Sequence, residues 1–132
     1  MDREACERGL EIRREVLGEQ YVAQAQSRVD DFTRPFQDLL NGYCWGDIWG
    51  RPGLPRKVRS LLNLAMLTAL NRTEEFRVHV RGALRNGASR EEIGEVLLQT
   101  AVYCGIPAAN TAFREAKQVF AEVDREEAPA AG

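Results

Sequence analysis

The stretch LNRTEEFRVHVRGALRNG, residues 70–87, holds the chain's only histidine, His79. On a helix, Glu75 would lie one turn before His79 and Arg72 two turns before it. Histidine is the side chain whose ordinary pKa suits proton transfer near neutral pH. A carboxylate at i−4 can touch the imidazole and raise its pKa. The trio falls on the flank of a helix, where polar groups can line a cleft beside a packed bundle. The competing reading, a histidine simply hydrogen-bonded at a helix interface, stays open on these residues alone.

Two other chemistries fit less well. A single histidine among scattered carboxylates lacks the second histidine of H-E-x-x-H or a comparable ligand set, so no metal is expected. Cys104 could pair with His79 as a nucleophile if their helices adjoin. A buried, structural cysteine is the simpler expectation there.

Further candidates lie in YCWGDIWGRPGLPRKVRS, residues 43–60. Trp45 and Trp49 read first as core aromatics and second as walls of a pocket. Arg51, Arg56 and Lys57 can be solvated charge, the better reading for Arg56 and Lys57. Arg59 differs, since it sits in an otherwise apolar helix just ahead of Asn63 and needs a carboxylate to meet, from protein or ligand.

The elements that must position these groups all read as helix. Residues 3–17 form one, closed by Gly18, and 19–29 a weaker second. A third begins near Phe32 and runs through PFQDLLNGYCW. Pro52-Gly53 suits the centre of a type II turn, and Pro55 the first turn of the next helix. VRSLLNLAMLTAL, 58–70, is apolar on almost every face, which predicts a helix covered on all sides. Asn71 with Glu74 predicts the cap of the His79 helix, which Asn86-Gly87 ends. Phe76, Val80, Ala83, Leu84 and Gly87 mark its core face, and Arg72, Glu75, His79, Gly82 and Asn86 its flank. Ser89 with Glu92 forms a capping box for a helix over 90–104. Gly105 and Pro107 separate it from a last helix over roughly 108–123, and 125–132 reads as a flexible tail. The expectation is an all-α single-domain bundle of six to seven helices over residues 1–124.

Composition narrows the function classes. The chain has 132 residues, 44% hydrophobic and 29% charged, with 18 basic against 20 acidic side chains. That balance does not favour nucleic acid or an acidic membrane as partner. Only Lys57 and Lys117 are lysine, so arginine, suited to carboxylates, dominates the basic set. No apolar run approaches the roughly 18 residues that span a bilayer, and MDREACERGLEIRREV has no signal-peptide core. The 3 cysteines form no C-x-x-C pair. A cytoplasmic protein with reduced thiols is expected. In the 90–104 helix, Ile93, Val96, Leu97, Ala101 and Cys104 form one apolar stripe, and Leu98 with Val102 a second. Two such faces call for a neighbouring chain, hence a homo-oligomer.

The phrases DDFTRPFQDLL, WGDIWGRPGL, RSLLNLAML, EEFRVH, GASREEI and YCGIPAAN, taken together, resemble the carboxymuconolactone decarboxylase family over nearly the whole chain. The wider superfamily includes alkylhydroperoxidase D-like proteins, all-α and oligomeric, many with C-x-x-C-x-x-x-H. Here Arg72 and Glu75 stand at the matching cysteine positions, with His79 retained, which argues against disulfide chemistry. The resemblance implies an alkylhydroperoxidase D-like fold assembled as a trimer or hexamer. It also implies cofactor-independent decarboxylation of 4-carboxymuconolactone to 3-oxoadipate enol-lactone and CO2, in the protocatechuate branch of aromatic catabolism. On that reading His79 is the general acid, poised by Glu75. Arg72 and Arg59, with Arg51 as a further candidate, bind carboxylate or stabilise the enolate. Trp45, Trp49 and Tyr103 exclude water. The alternatives are a redox protein working through Cys104, a related lactone as substrate, or a helical oligomer that binds small molecules without turning them over.

Overall fold

A computed structural model describes residues 2–129, and among these residues every regular element is helical: seven α-helices and one π-helical segment. The chain divides into two compact units, one ending at Arg59 and the other starting at Ser60.

The first unit opens with α1 (Arg3–Leu17), whose cap Asp2 accepts a 3.0 Å hydrogen bond from the Glu4 amide. Gly18, at φ 98°, ends α1 as expected, and α2 (Glu19–Ser27) follows directly. Next comes α3 (Arg34–Leu39), with Pro35 in its first turn. The helix then continues from Leu40 to Ile48 with π-type winding, where the Trp49 amide reaches the Cys44 carbonyl at 3.0 Å. The π winding is not foreseen by the sequence reading, which carries the third helix on as ordinary α.

Backbone packs on backbone where α1 meets this π segment. A Cβ at Gly9 would overlap the Asn41 carbonyl, and one at Gly46 would sit 2.6 Å from the Ala5 carbonyl. Glycine is required at both positions because the two helices leave no space for a side chain. The turn at Pro52-Gly53 exists, but Gly53 is not among the residues with positive φ. It is therefore not the type II turn expected, since that turn needs positive φ at its third residue. Pro55 caps the next helix rather than entering it, its carbonyl accepting from the Arg59 amide at 3.1 Å.

That helix, α4 (Arg56–Ala69), runs on into the second unit. There α5 (Thr73–Arg85), α6 (Arg90–Cys104) and α7 (Ile106–Glu127) complete the chain. Leu64, Phe76, Val80, Ala83, Ile93, Leu97, Ala112, Ala116 and Val119 form one buried cluster, and the predicted core face of the His79 helix supplies three of its members. Two arginines fasten α5 to α7: Arg77 bonds Glu115 and Glu122, both at 2.6 Å, and Arg81 bonds Glu122 at 3.1 Å and Glu126 at 2.9 Å. The Ser89–Glu92 capping box forms as predicted, with bonds of 3.0 and 2.9 Å.

Three expectations need correction. Asn71 does not cap α5. It takes φ 57° and closes α4, with the Asn71 amide on the Thr68 carbonyl (3.2 Å) and the Arg72 amide on the Leu67 carbonyl (2.9 Å). This is a Schellman ending, and asparagine tolerates the left-handed backbone it requires. Nor is α4 covered on all sides: Ser60, Leu64 and Thr68 face inward, while Leu62, Met66 and Leu70 are exposed. Finally, α7 begins at Ile106, with Pro107 in its first turn, and continues to Glu127. Residues 125–127 of the predicted tail are thus helical, and 130–132 lie outside the described residues.

Candidate active site

His79 sits half-buried on α5, and its Nδ1 lies 3.4 Å from Nδ2 of Asn63 on α4. Almost two turns later on α5, Asn86 donates to the fully buried Ser60 hydroxyl at 2.9 Å. Asn63 and Ser60 are three residues apart and share a helix face. His79, the buried Gly82 and Asn86 share the facing strip of α5. The flank predicted for the histidine is therefore a polar seam between α4 and α5. Asn63 and Ser60 were not named as site residues. The signal that could have found them is their spacing, two polar breaks on one face of an otherwise apolar run.

The electrostatics of His79 run opposite to the sequence expectation. Burial disfavours the charged ring and lowers its pKa from 6.5 to about 4, although the Glu75 carboxylate one turn earlier pulls it upward. Glu75 is exposed, so water screens its charge, while the ring loses solvent on most sides. At neutral pH His79 is an uncharged imidazole.

The other predicted residues divide between the units. Arg72 is exposed at the N-terminus of α5 and lines a shallow groove with Asn71, Phe76, Thr111 and Glu115, which His79 does not line. Tyr103, near the end of α6, is 82% exposed and screens nothing from water in this chain. In the first unit Trp45 and Trp49 are both buried and stack on each other, ring centres 4.8 Å apart, the core reading for both. Arg51 is exposed. Arg59 is half-buried, one helical turn before Asn63 on α4, and its buried Nε has no hydrogen-bond partner among the described residues. An arginine in that condition is suited to an anionic ligand.

A buried arginine escapes the sequence reading altogether. Arg13 on α1 is 5% exposed and donates from Nη1 to Gln37 (3.2 Å) and Asn41 (3.1 Å). Cys104 is exposed rather than buried, because it ends α6 ahead of the Gly105 bend. All three cysteines are free thiols, and no group of three or more His, Cys, Asp or Glu side chains gathers at metal-binding distance among the described residues. No described helix is long and apolar enough to cross a membrane.

An all-helical chain with one desolvated histidine beside an asparagine in an interhelical seam has the character of a binding or acid–base site. The profile of the carboxymuconolactone decarboxylase family matches residues 34–118, and the chain belongs to that family. It is 41% identical over 122 residues to a 4-carboxymuconolactone decarboxylase of Acinetobacter baylyi, covering 92% of this chain and 91% of the relative. It is 43% identical over 107 residues to a nitrosuccinic acid decarboxylase of Metarhizium robertsii, covering 81% and 75% respectively. An uncharacterised 15.0 kDa protein of Paracoccus denitrificans is 37% identical over 91 residues, 67% of each chain.

Proposed function

We propose that this protein is a carboxy-lyase that converts 4-carboxymuconolactone to 3-oxoadipate enol-lactone and CO2 without a cofactor, in the protocatechuate branch of aromatic catabolism. The observation that carries the reading is the 41% identity, over nearly the full length of both chains, with a decarboxylase of that lactone. The nitrosuccinic acid decarboxylase supports the reaction class, a small polyanionic acid losing CO2.

The substrate is its own electron sink. One ring carbon carries both a carboxylate and a carboxymethyl group. As the carboxylate bond breaks, its electron pair forms a new ring double bond. The old double bond shifts toward the lactone carbonyl, whose π pair moves onto oxygen. A proton then adds to the carbon beside that carbonyl and restores it. A protein serving this sequence must hold the spectator carboxylate, meet the developing dienolate oxygen, and keep water from the departing carboxylate.

We assign His79 to the dienolate, with Glu75 one turn before it on α5 and Arg72 at the N-cap of that helix, two turns before it. Arg59, with its buried unbonded Nε, is the first choice for the spectator carboxylate, and Arg51 the second. Trp45 and Trp49 serve as the stacked core of the first unit, and Tyr103 can exclude water only once another chain lies over it. Exposed apolar stripes support assembly with further copies of the chain, which the family resemblance implies to be a trimer or hexamer. They comprise Phe36, Leu39 and Tyr43 in the first unit, and Leu62, Met66 and Leu70, then Leu98 and Val102, in the second. One catalytic domain is the natural reading of a family match that spans both units. A cytoplasmic location fits three free thiols.

The test is turnover by the purified protein, with chelator present, of lactone generated from its muconate precursor. CO2 release matched by enol-lactone formation is expected. A folded oligomer that binds the lactone without turnover would instead favour the non-catalytic reading.

A further inference from the structure

The Asn63–His79 contact has chemical content beyond holding a ring in place. Asn63 presents its amide nitrogen, which only donates, to Nδ1 of His79 at 3.4 Å. A ring nitrogen that accepts a hydrogen bond carries no proton, and in a neutral imidazole the proton is then on the other nitrogen. An imidazolium would carry hydrogen on both nitrogens and set an N–H against the Asn63 N–H. The same contact thus opposes the charged ring, in agreement with what burial does to it. The neighbouring Asn86–Ser60 bond, at 2.9 Å to a hydroxyl with no solvent exposure, ties α4 to α5 alongside and limits how far Asn63 and His79 can turn away from each other.

We propose that Asn63 is a positioning residue: by donating to Nδ1 it keeps the ring proton on Nε2, so that His79 meets the dienolate oxygen as a neutral Nε2–H donor and not as a charged acid. The inference rests on the decarboxylase reading and deepens it. A hydrogen bond from neutral imidazole suits this reaction, since the electron pair released with CO2 comes to rest on the lactone oxygen, where a preorganised donor acts on the transition state alone. No proton leaves the ring. The hydrogen that completes the product is taken by the ring carbon from a water molecule, which is left as hydroxide. The two amide-bearing residues of the seam, Asn63 and Asn86, are uncharged, so the site remains able to receive a dianion.

The chain's single histidine makes the test direct. With 15N-histidine incorporated, a long-range proton–nitrogen correlation at neutral pH reports one ring only, and shows which nitrogen bears hydrogen. The wild type is expected to show a protonated Nε2 and a bare Nδ1. Asn63→Asp, nearly the same shape but an acceptor only, should move the proton to Nδ1. It should also reduce kcat on the order of 10²-fold, the mark of a lost transition-state donor, with KM raised as well because the new carboxylate repels the dianion. A wild-type ring protonated on Nδ1, or an Asn63→Asp protein that keeps both Nε2–H and the wild-type kcat, overturns the proposal. Should Asn63→Asp fail to fold, the wild-type spectrum decides alone. Failure of the decarboxylase reading is separate, because it appears as absent wild-type turnover whatever the tautomer.

Discussion

Glu75 stands one turn before His79 on α5 and draws the imidazole pKa upward, yet burial outweighs it and leaves the ring at about 4. This relationship has a consequence for stability. The unfolded chain takes up the proton near the ordinary value of 6.5 and the folded chain only near 4. Between those values the unfolded state binds more protons, so acidification favours unfolding. The stabilisation is complete above pH 6.5 and is lost as pH falls toward 4. At about 1.4 kcal/mol per pKa unit it amounts to at most roughly 3–4 kcal/mol. Denaturant unfolding of wild type and His79→Gln should diverge across that window, with the wild type falling more steeply. Parallel curves would show that the ring is not desolvated.

Activity separates the roles of the site residues. His79→Ala should reduce kcat at least on the order of 10²-fold, whether the ring gives a hydrogen bond or a proton. Arg59→Met should act mainly on KM if it grips the spectator carboxylate, because that carboxylate has the same charge in substrate and transition state. A folded His79→Ala protein with near-normal kcat would remove the histidine from the mechanism.

Arg13 and Asn41 give a prediction about the first unit. The guanidinium is buried with two side-chain amides as its hydrogen-bond acceptors, Asn41 at 3.1 Å and Gln37 at 3.2 Å. Asn41→Leu removes one acceptor and leaves the charge buried, which should cost about 2–4 kcal/mol in chemical denaturation. Arg13→Met combined with Asn41→Leu should recover part of that loss, since the stranded charge is gone. A double variant weaker than Asn41→Leu would refute this account.

What the sequence made legible was local. Gly18, the Ser89–Glu92 box and the core face Phe76–Val80–Ala83 depend on near neighbours in the chain, and each appears where it was expected. The π winding of Leu40–Ile48 was not legible, because a shift of backbone bonds from i−4 to i−5 leaves no mark on composition. Asn71 showed the residue type of a cap but not which of two adjoining helices it would serve. The sign of the His79 shift was hidden for a different reason. Glu75 is visible at i−4, whereas desolvation depends on what packs around the ring, a tertiary property. Arg13 was missed because a charged residue among alternating charges on α1 looks solvated.

Cys104 offers a control on mechanism. The thiol is exposed at the end of α6, so it is open to modification, yet the decarboxylase reading gives it no part. Cys104→Ser should keep turnover within about twofold of wild type, a change worth only ~0.4 kcal/mol of barrier. Loss of activity on that change would revive the thiol chemistry that Arg72 and Glu75 argue against.

The exposed side of α6 speaks to assembly. Val102 is 78% exposed and Leu98 is also exposed, and α4 shows Met66 and Leu70 bare. Apolar residues at helical spacing on open faces gain little from water and much from a second copy of the chain. If these faces form the contact, Val102→Asp would place a charge inside it, and an unpaired buried charge is strongly unfavourable. Light scattering should then give the wild type a mass several times that of one 14.8 kDa chain and the variant a smaller one. Far-UV helicity should be retained, because Val102 contributes nothing to the buried cluster of its own unit. A wild type that runs as a monomer would remove the oligomer from the reading. An assembled Val102→Asp protein would shift the contact to the α4 stripe or to Phe36, Leu39 and Tyr43 on the first unit.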